Sequence, residues 1–232
     1  MKPSFIKLSV LLLIISTTPS AQTLNYTIDK LLFKDDFSAA LDTSKWAVEK
    51  LPADSEKVYC SNGKLLLDTY GGATVWYKKE LYGNFLISFK RKVIVQGGKN
   101  DRLSDVNQFW MATDTVKNQL FKRKGAFNEY DSLNMYYVGF GGNYNTTTRF
   151  RKYSILGEKR ILGEFTNAQH LLQPNKEYII KIIIKDGVTQ FLVDDELYFS
   201  YKDDNPLTHG FFAFRSTRSY QEIDEVRIYG LQ

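Results

Sequence analysis

Tyr178-Ile179-Ile180-Lys181-Ile182-Ile183-Ile184-Lys185-Asp186-Gly187-Val188-Thr189-Gln190-Phe191-Leu192-Val193 is the stretch that decides the fold. Two runs rich in β-branched and aromatic residues flank Asp-Gly, a dipeptide that accepts positive φ at both central positions of a tight turn, so the stretch predicts a β-hairpin. Phe85-Leu86-Ile87-Ser88-Phe89 and Phe211-Phe212-Ala213-Phe214 are runs of the same kind, each preceded by a glycine-containing turn. No long segment carries helical apolar spacing. Many short strands joined by close turns predict an all-β protein, an antiparallel β-sandwich or barrel.

The rest of the chain bounds this reading. Residues 1–21 begin with Lys2 and Lys7, continue through an apolar run from Leu8 to Ile15 and leave through Thr18-Pro19-Ser20-Ala21. That is the layout of a secretory signal peptide, and the run is too short for a membrane span. The expected product is a secreted or periplasmic protein with one domain over 22–232 and no membrane insertion of the mature chain. Cys60 is the only cysteine, so the fold is expected to rely on its core rather than on a disulfide. A formal net charge of +5 falls to +3 without Lys2 and Lys7, and no basic run tracks a nucleic-acid backbone, so no nucleic-acid partner is expected. With two histidines, His170 and His209, and one distant cysteine, a zinc cluster is not expected.

Three further stretches carry the resemblance to a known family. Phe33-Lys34-Asp35-Asp36-Phe37 with Leu41-Asp42-Thr43-Ser44-Lys45-Trp46, then Asn62-Gly63-Lys64-Leu65-Leu66-Leu67, resemble the opening of concanavalin A-like jelly rolls. Gly210 to Ser216 followed by Ile223-Asp224-Glu225-Val226-Arg227-Ile228-Tyr229 is similar to their closing strands. Glu129-Tyr130-Asp131-Ser132-Leu133-Asn134 nearly spells the E-x-D-x-x-E motif of glycoside hydrolase family sixteen, with Asn134 in place of the last acid. The chain also resembles domains of unknown function in secreted bacterial carbohydrate-active proteins. The resemblance implies a concanavalin A-like antiparallel β-sandwich with a concave glycan cleft. It implies that Glu129 and Asp131 occupy the nucleophile and assisting positions, and that Asn134 stands where the proton donor of a hydrolase belongs. It also implies a structural calcium with Asp224 as a ligand; no cofactor is required for the chemistry.

On a regular strand Glu129 and Asp131 would share a face with Leu133 and Met135, mixing acids with apolar side chains. One extra residue bulging after Asp131 would instead form a cleft row of Glu129, Asp131, Asn134 and Tyr136, with Leu133 and Met135 in the core. The polarity pattern favours the bulge. In the stretch Tyr136 to Tyr153, Gly139, Gly141 and Gly142 permit sharp turns, and Asn143 and Tyr144 offer groups suited to sugar hydroxyls. Arg149, Arg151 and Tyr153 alternate with Phe150 and Lys152, so one face would present two guanidinium forks and a phenol. Gln108 and Trp110 share a face opposite Phe109 and Met111, and Trp110 is placed under a sugar ring. Arg215 is expected at one end of the groove.

This constellation predicts a polysaccharide or oligosaccharide partner and a monomer. The favoured reading is cleavage of a complex polysaccharide. β-Elimination of a uronate-containing glycan is set ahead of hydrolysis, because Tyr136 or Tyr144, Asn134 or Asn143, and Arg149 or Arg151 can supply a base and charge stabilisers without an acidic pair. A non-catalytic carbohydrate-binding domain is the alternative, and a structural or adhesive surface module the third reading.

Overall fold

The hairpin forms as the sequence predicts. In the computed structural model, which describes residues 22–232, β11 (Glu177–Lys185) and β12 (Val188–Val193) pair with Lys185 opposite Val188. The turn between them is made by Asp186 and Gly187, both at positive φ (51° and 78°). The signal-peptide-like segment 1–21 lies outside the described residues.

The other strands are β1 (Ile28–Asp35), β2 (Trp46–Lys50), β3 (Lys57–Ser61), β4 (Lys64–Thr69), β5 (Ala73–Tyr82), β6 (Phe85–Ile94), β7 (Val106–Thr113), β8 (Asn134–Gly141), β9 (Thr147–Tyr153), β10 (Lys159–Phe165), β13 (Glu196–Lys202), β14 (His209–Ser216) and β15 (Ser219–Leu231). They build two antiparallel sheets. The first runs β13-β12-β11-β6-β15-β4-β3, with β1 pairing the far half of β15, and the second runs β10-β9-β8-β7-β14-β5-β2. The protein is thus an all-β antiparallel sandwich, the fold class that the sequence predicted.

Alternation along each strand sends one set of apolar residues between the sheets. Leu65, Leu67, Ile87, Phe89, Ile180, Ile182, Phe191, Ile223 and Ile228 come from the first sheet, and Trp46, Val75, Tyr77, Trp110, Tyr136, Val138, Phe150, Phe212 and Phe214 from the second. Trp46 packs inward, as the sequence suggested, and its indole donates to Asp35 Oδ2 at 2.8 Å. Cys60 is half-buried, and burial with the nearby Asp35 charge pushes its thiol up to about 11, which leaves it inert at neutral pH.

The expected face of Trp110 needs correction. Gln108 and Trp110 do share a face, but it is the inner one: Trp110 stacks on Phe150 at 5.6 Å and donates to Thr189 Oγ1 at 3.0 Å, and Gln108 is buried beside Arg91. Met111 does not stay with Phe109. It adopts φ 53°, which shifts the β7 register and turns its side chain into the inter-sheet core, while Phe109 faces outward. Gly210 allows this, because a Cβ there would lie 2.3 Å from the Met111 carbonyl carbon.

A second apolar cluster lies on the outer face of the second sheet. The segment between β7 and β8 lays Phe121, Phe127, Tyr130 and Leu133 over Trp76, Phe109, Met135, Tyr137 and Tyr153. Buried Glu49 on β2 holds this cover down: its carboxylate accepts from Trp76 Nε1 (2.7 Å), Tyr130 Oη (2.9 Å) and Arg123 N (2.8 Å). No described helix is long and apolar enough to cross a membrane.

Candidate functional site

The expected carboxylate row does not assemble. Phe127–Tyr130 is a 3₁₀ turn, and regular pairing starts only at Asn134, so Glu129 and Asp131 precede the strand and no bulge joins them to it. The Glu129 carboxylate accepts from Lys124 N (2.9 Å) and Ala126 N (3.1 Å), folding its own loop. Asp131 pairs with Lys159 at 2.7 Å. Asn134 is half-buried at the start of β8 and accepts from Ile155 N at 3.0 Å. Tyr136 faces the inter-sheet core, where its hydroxyl donates to Asp203, which Lys152 also contacts at 2.6 Å. The polarity argument failed because the loop cover supplies an apolar environment outside the sheet for Leu133 and Met135, and Asp203 supplies an acceptor inside it for Tyr136.

A pocket of about 190 Å³ opens instead at the uncovered end of the same outer face. Asn107 on β7, Tyr137 and Gly139 on β8, and Arg149 and Arg151 on β9 form its floor and one wall. The predicted alternation on β9 holds: Arg149, Arg151 and Tyr153 face outward while Phe150 packs between the sheets. Arg149 pairs with Glu164 on the neighbouring β10, whereas Arg151 lies over the Tyr137 ring, its guanidinium carbon 5.7 Å from the centroid. Tyr153 is buried under the cover, and its hydroxyl has no partner among the described residues.

Tyr137 is the phenol that reaches this pocket, one residue beyond the tyrosine that the sequence suggested. Its hydroxyl donates to Asn107 Oδ1 at 3.0 Å, and burial holds it well above the usual phenol range. Gly139 leaves room for that hydroxyl, since a Cβ there would lie 2.3 Å from it and 3.0 Å from Asn107 Oδ1. Gly139→Ala is therefore expected to cost about 1–3 kcal/mol by overpacking. An unfilled site would instead give a gain of about 0.4–1 kcal/mol from the stiffer unfolded chain. Urea unfolding of the variant reads the sign.

The turn that joins β8 to β9 also lines the pocket and has unusual backbone. Asn143, Tyr144 and Asn145 are consecutive left-handed residues, with φ of 51°, 58° and 59°. Asparagine tolerates this region, but a tyrosine there costs roughly 1–2 kcal/mol. The turn is pinned: Asn145 donates to Leu172 O (2.9 Å) and accepts from Leu172 N (2.8 Å), and Thr146 Oγ1 donates to Asn143 O (2.7 Å). The outcome is a Tyr144 ring 72% exposed at the rim, with the Arg102 guanidinium 4.9 Å from its centroid. Arg102 also pairs with Asp105, whose Oδ2 accepts from Arg218 N at 3.2 Å.

Arg215 does not reach the groove surface. It lies on the outer face of β14 but is sealed beneath Phe127, 4.4 Å from its ring, and donates to Gly125 O (3.0 Å) and Thr217 Oγ1 (2.7 Å). The residues around Asp224 do not fit a calcium. Lys64 Nζ stands 3.5 Å from its Oδ2, Oδ1 accepts from Glu225 N at 2.6 Å, and no group of three or more His, Cys, Asp or Glu suited to a metal occurs among the described residues. His170 stacks on Phe165 at 3.8 Å, and His209 contacts Glu80 at 2.5 Å; both stand apart from the pocket.

Residues 67–226 match a family described as a domain of unknown function, DUF6250. The chain belongs to that family. Every pocket-lining residue, from Arg102 to Thr217, lies within the DUF6250 stretch. A comparison with curated proteins found no sequence match. Among solved structures, this DUF6250 chain is similar to a Bacillus subtilis protein of unknown function with a galectin-like fold (16% identity, 89% of this chain and 99% of that one, TM-score 0.72). It is also similar to an endo-β-1,3-glucanase from Pyrococcus furiosus (11% identity, 88% and 95%, TM-score 0.61) and to the carbohydrate-binding module CBM66 from Bacillus subtilis (11% identity, 80% and 96%, TM-score 0.57). At these identities the likeness is one of fold.

The residues that sequence reasoning missed were Arg102, Asp105, Asn107, Phe127, Tyr137 and Thr217. The signal for Tyr137 was the phase of β8: placing Gly139 outward, with the β9 arginines beside it, puts Tyr137 and not Tyr136 on the pocket side.

Proposed function

We propose that this protein recognises a glycan at the arginine–tyrosine pocket, acting as an exported carbohydrate-binding domain. The observation that carries the reading is Tyr144, an exposed ring held on a pinned left-handed turn beside fixed hydrogen-bonding groups, Asn107, Thr147, Thr217 and the β9 arginines. Backbone strain of this kind is retained where the surrounding structure and a ligand use it. A flat aromatic rim with convergent polar groups suits a sugar ring and its hydroxyls. The carbohydrate-binding module and the glucanase among the fold neighbours support the same substrate class, and the basic-then-apolar segment 1–21 supports export.

Hydrolysis has less support. Most glycosidases, of either stereochemistry, use two carboxyl groups flanking the bond. The pocket is lined by one, Asp105, which is already engaged by Arg102, Arg218 N and Ser104 Oγ. Elimination keeps one observation in its favour, the convergence of Tyr137, Asn107 and Arg151; against it, burial makes the Tyr137 phenol a reluctant base.

Affinity electrophoresis of the purified protein through gels containing neutral or acidic polysaccharides, with parallel assays for reducing ends and unsaturated uronate absorbance, tests the reading. Retardation without product is expected, weakened about tenfold in Tyr144→Ala, the equivalent of about 1.4 kcal/mol. New absorbance would replace it with a lyase centred on Tyr137, reducing ends alone with a hydrolase, and mobility unchanged in every gel would refute it.

A further inference from the structure

We infer that the pocket receives an anionic substituent of the glycan, a carboxylate or a sulfate ester, on the guanidinium fork of Arg151. This rests on the carbohydrate reading of the same pocket. The argument is one of uncompensated charge. Arg149 is neutralised by Glu164, and Arg102 by Asp105. Arg151 has no described carboxylate within 4.0 Å, and the residue that faces it across the strand pair is the neutral Tyr137, over whose ring its guanidinium lies.

Two more guanidinium groups lie behind the floor, both fully buried and both likewise without a described carboxylate within 4.0 Å. Arg91 donates to the main-chain carbonyl of the pocket residue Asn107 at 2.7 Å. Arg215 donates to the pocket residue Thr217 and stacks under the pocket residue Phe127, and its buried Nε has no partner among the described residues. Charges in such a poorly solvated interior project further than surface charges do. The lining carboxylate, Asp105, is held by hydrogen bonds from three groups and is shared between Arg102 and the Arg218 backbone. The net field at the Arg151 fork therefore favours an anion, and the planar guanidinium matches a carboxylate or sulfate through two parallel hydrogen bonds. Tyr144, exposed at the rim of the same pocket, offers a face to the sugar that carries it.

Calorimetric titration of the purified protein with an oligogalacturonate, a sulfated galactan oligosaccharide and a neutral β-1,3-glucan oligosaccharide of equal length tests this, alongside sodium sulfate and a thymidine oligonucleotide. At least one acidic oligosaccharide is expected to bind ten or more times tighter than the neutral one. Which of the two does so tells carboxylate from sulfate. Arg151→Gln is expected to erase that preference at an unchanged thermal midpoint, and Arg151→Lys, which keeps the charge without the fork, to restore it in part. Equal affinity for the neutral chain, or a preference that survives Arg151→Gln, overturns the inference and leaves the carbohydrate reading standing. Sodium sulfate bound as tightly as the acidic glycan, or the oligonucleotide bound tighter than any glycan, overturns both.

Discussion

Arg91→Met is expected to destabilise the protein by about 3–5 kcal/mol, because each buried oxygen left without a donor costs about 1–3 kcal/mol. Arg91 projects from β6 of the first sheet into the interior and donates to Gln221 Oε1 (2.7 Å), Asn107 O (2.7 Å), Arg215 O (2.9 Å) and Gln108 Oε1 (3.3 Å). Burial pushes its guanidinium down to about 9, so it stays protonated at neutral pH. A buried ion pair can be exchanged for apolar residues at little cost when both partners are removed. Here two of the acceptors are backbone carbonyls, which no substitution removes, and methionine offers them no donor. The same two carbonyls belong to Asn107, in the pocket floor, and Arg215, beneath it. Loss of stability and loss of glycan binding should therefore come together. Urea unfolding with an unchanged m-value reads the first, and each kcal/mol should lower the thermal midpoint by about 2–4 °C in a chain of this size. A loss below about 1 kcal/mol would mean that water takes over the four oxygens.

The fold was legible because its determinants are local. Asp186-Gly187 needs only its own two φ angles to make the hairpin, and the alternation of Arg149, Phe150, Arg151 needs only the strand period. The pocket was half legible for the same reason: Asn143, Tyr144, Arg149 and Arg151 were placed by turn chemistry and period, without knowledge of the partner strands. What failed depended on contacts distant in sequence. Whether Tyr136 or Tyr137 faces out is decided by Asp203, 67 positions away, which accepts the Tyr136 hydroxyl inside the sandwich. Whether Leu133 and Met135 can face outward is decided by a cover bolted to Glu49 on another strand. Trp110 reads equally well as a sugar platform or as core, and Thr189 of the opposite sheet settles it by accepting the indole proton. Polar atoms that are satisfied only in three dimensions leave no periodic trace in the chain.

Glu49→Ala is expected to have the second large effect, about 3–5 kcal/mol, since each buried donor left without an acceptor costs about 1–3 kcal/mol, and to act unevenly across the molecule. The substitution strands three donors at once, Trp76 Nε1, Tyr130 Oη and Arg123 N, all within 2.9 Å of the carboxylate. Arg123 is the hub of the cover, since it also holds Asp114 at 2.5 Å and Glu129 O at 2.9 Å. Losing the bolt thus weakens contacts that tie residues 114–130 together as well as those that hold them to the sheet. Segments whose local contacts fail open before the whole structure does. Lys117, Lys122, Arg123 and Lys124 lie in this cover, so trypsin should cut the variant there, faster by about tenfold for each 1.4 kcal/mol lost in local opening, while the sheets remain paired. Cleavage that accelerates only in step with global unfolding would instead make cover and sheet one cooperative unit. The distinction bears on the site. Phe127 forms both the edge of the cover and one side of the pocket, so a cover that opens separately would lengthen the groove toward Trp76 and Phe109, and a glycan longer than the pocket would then bind the variant better than a short one.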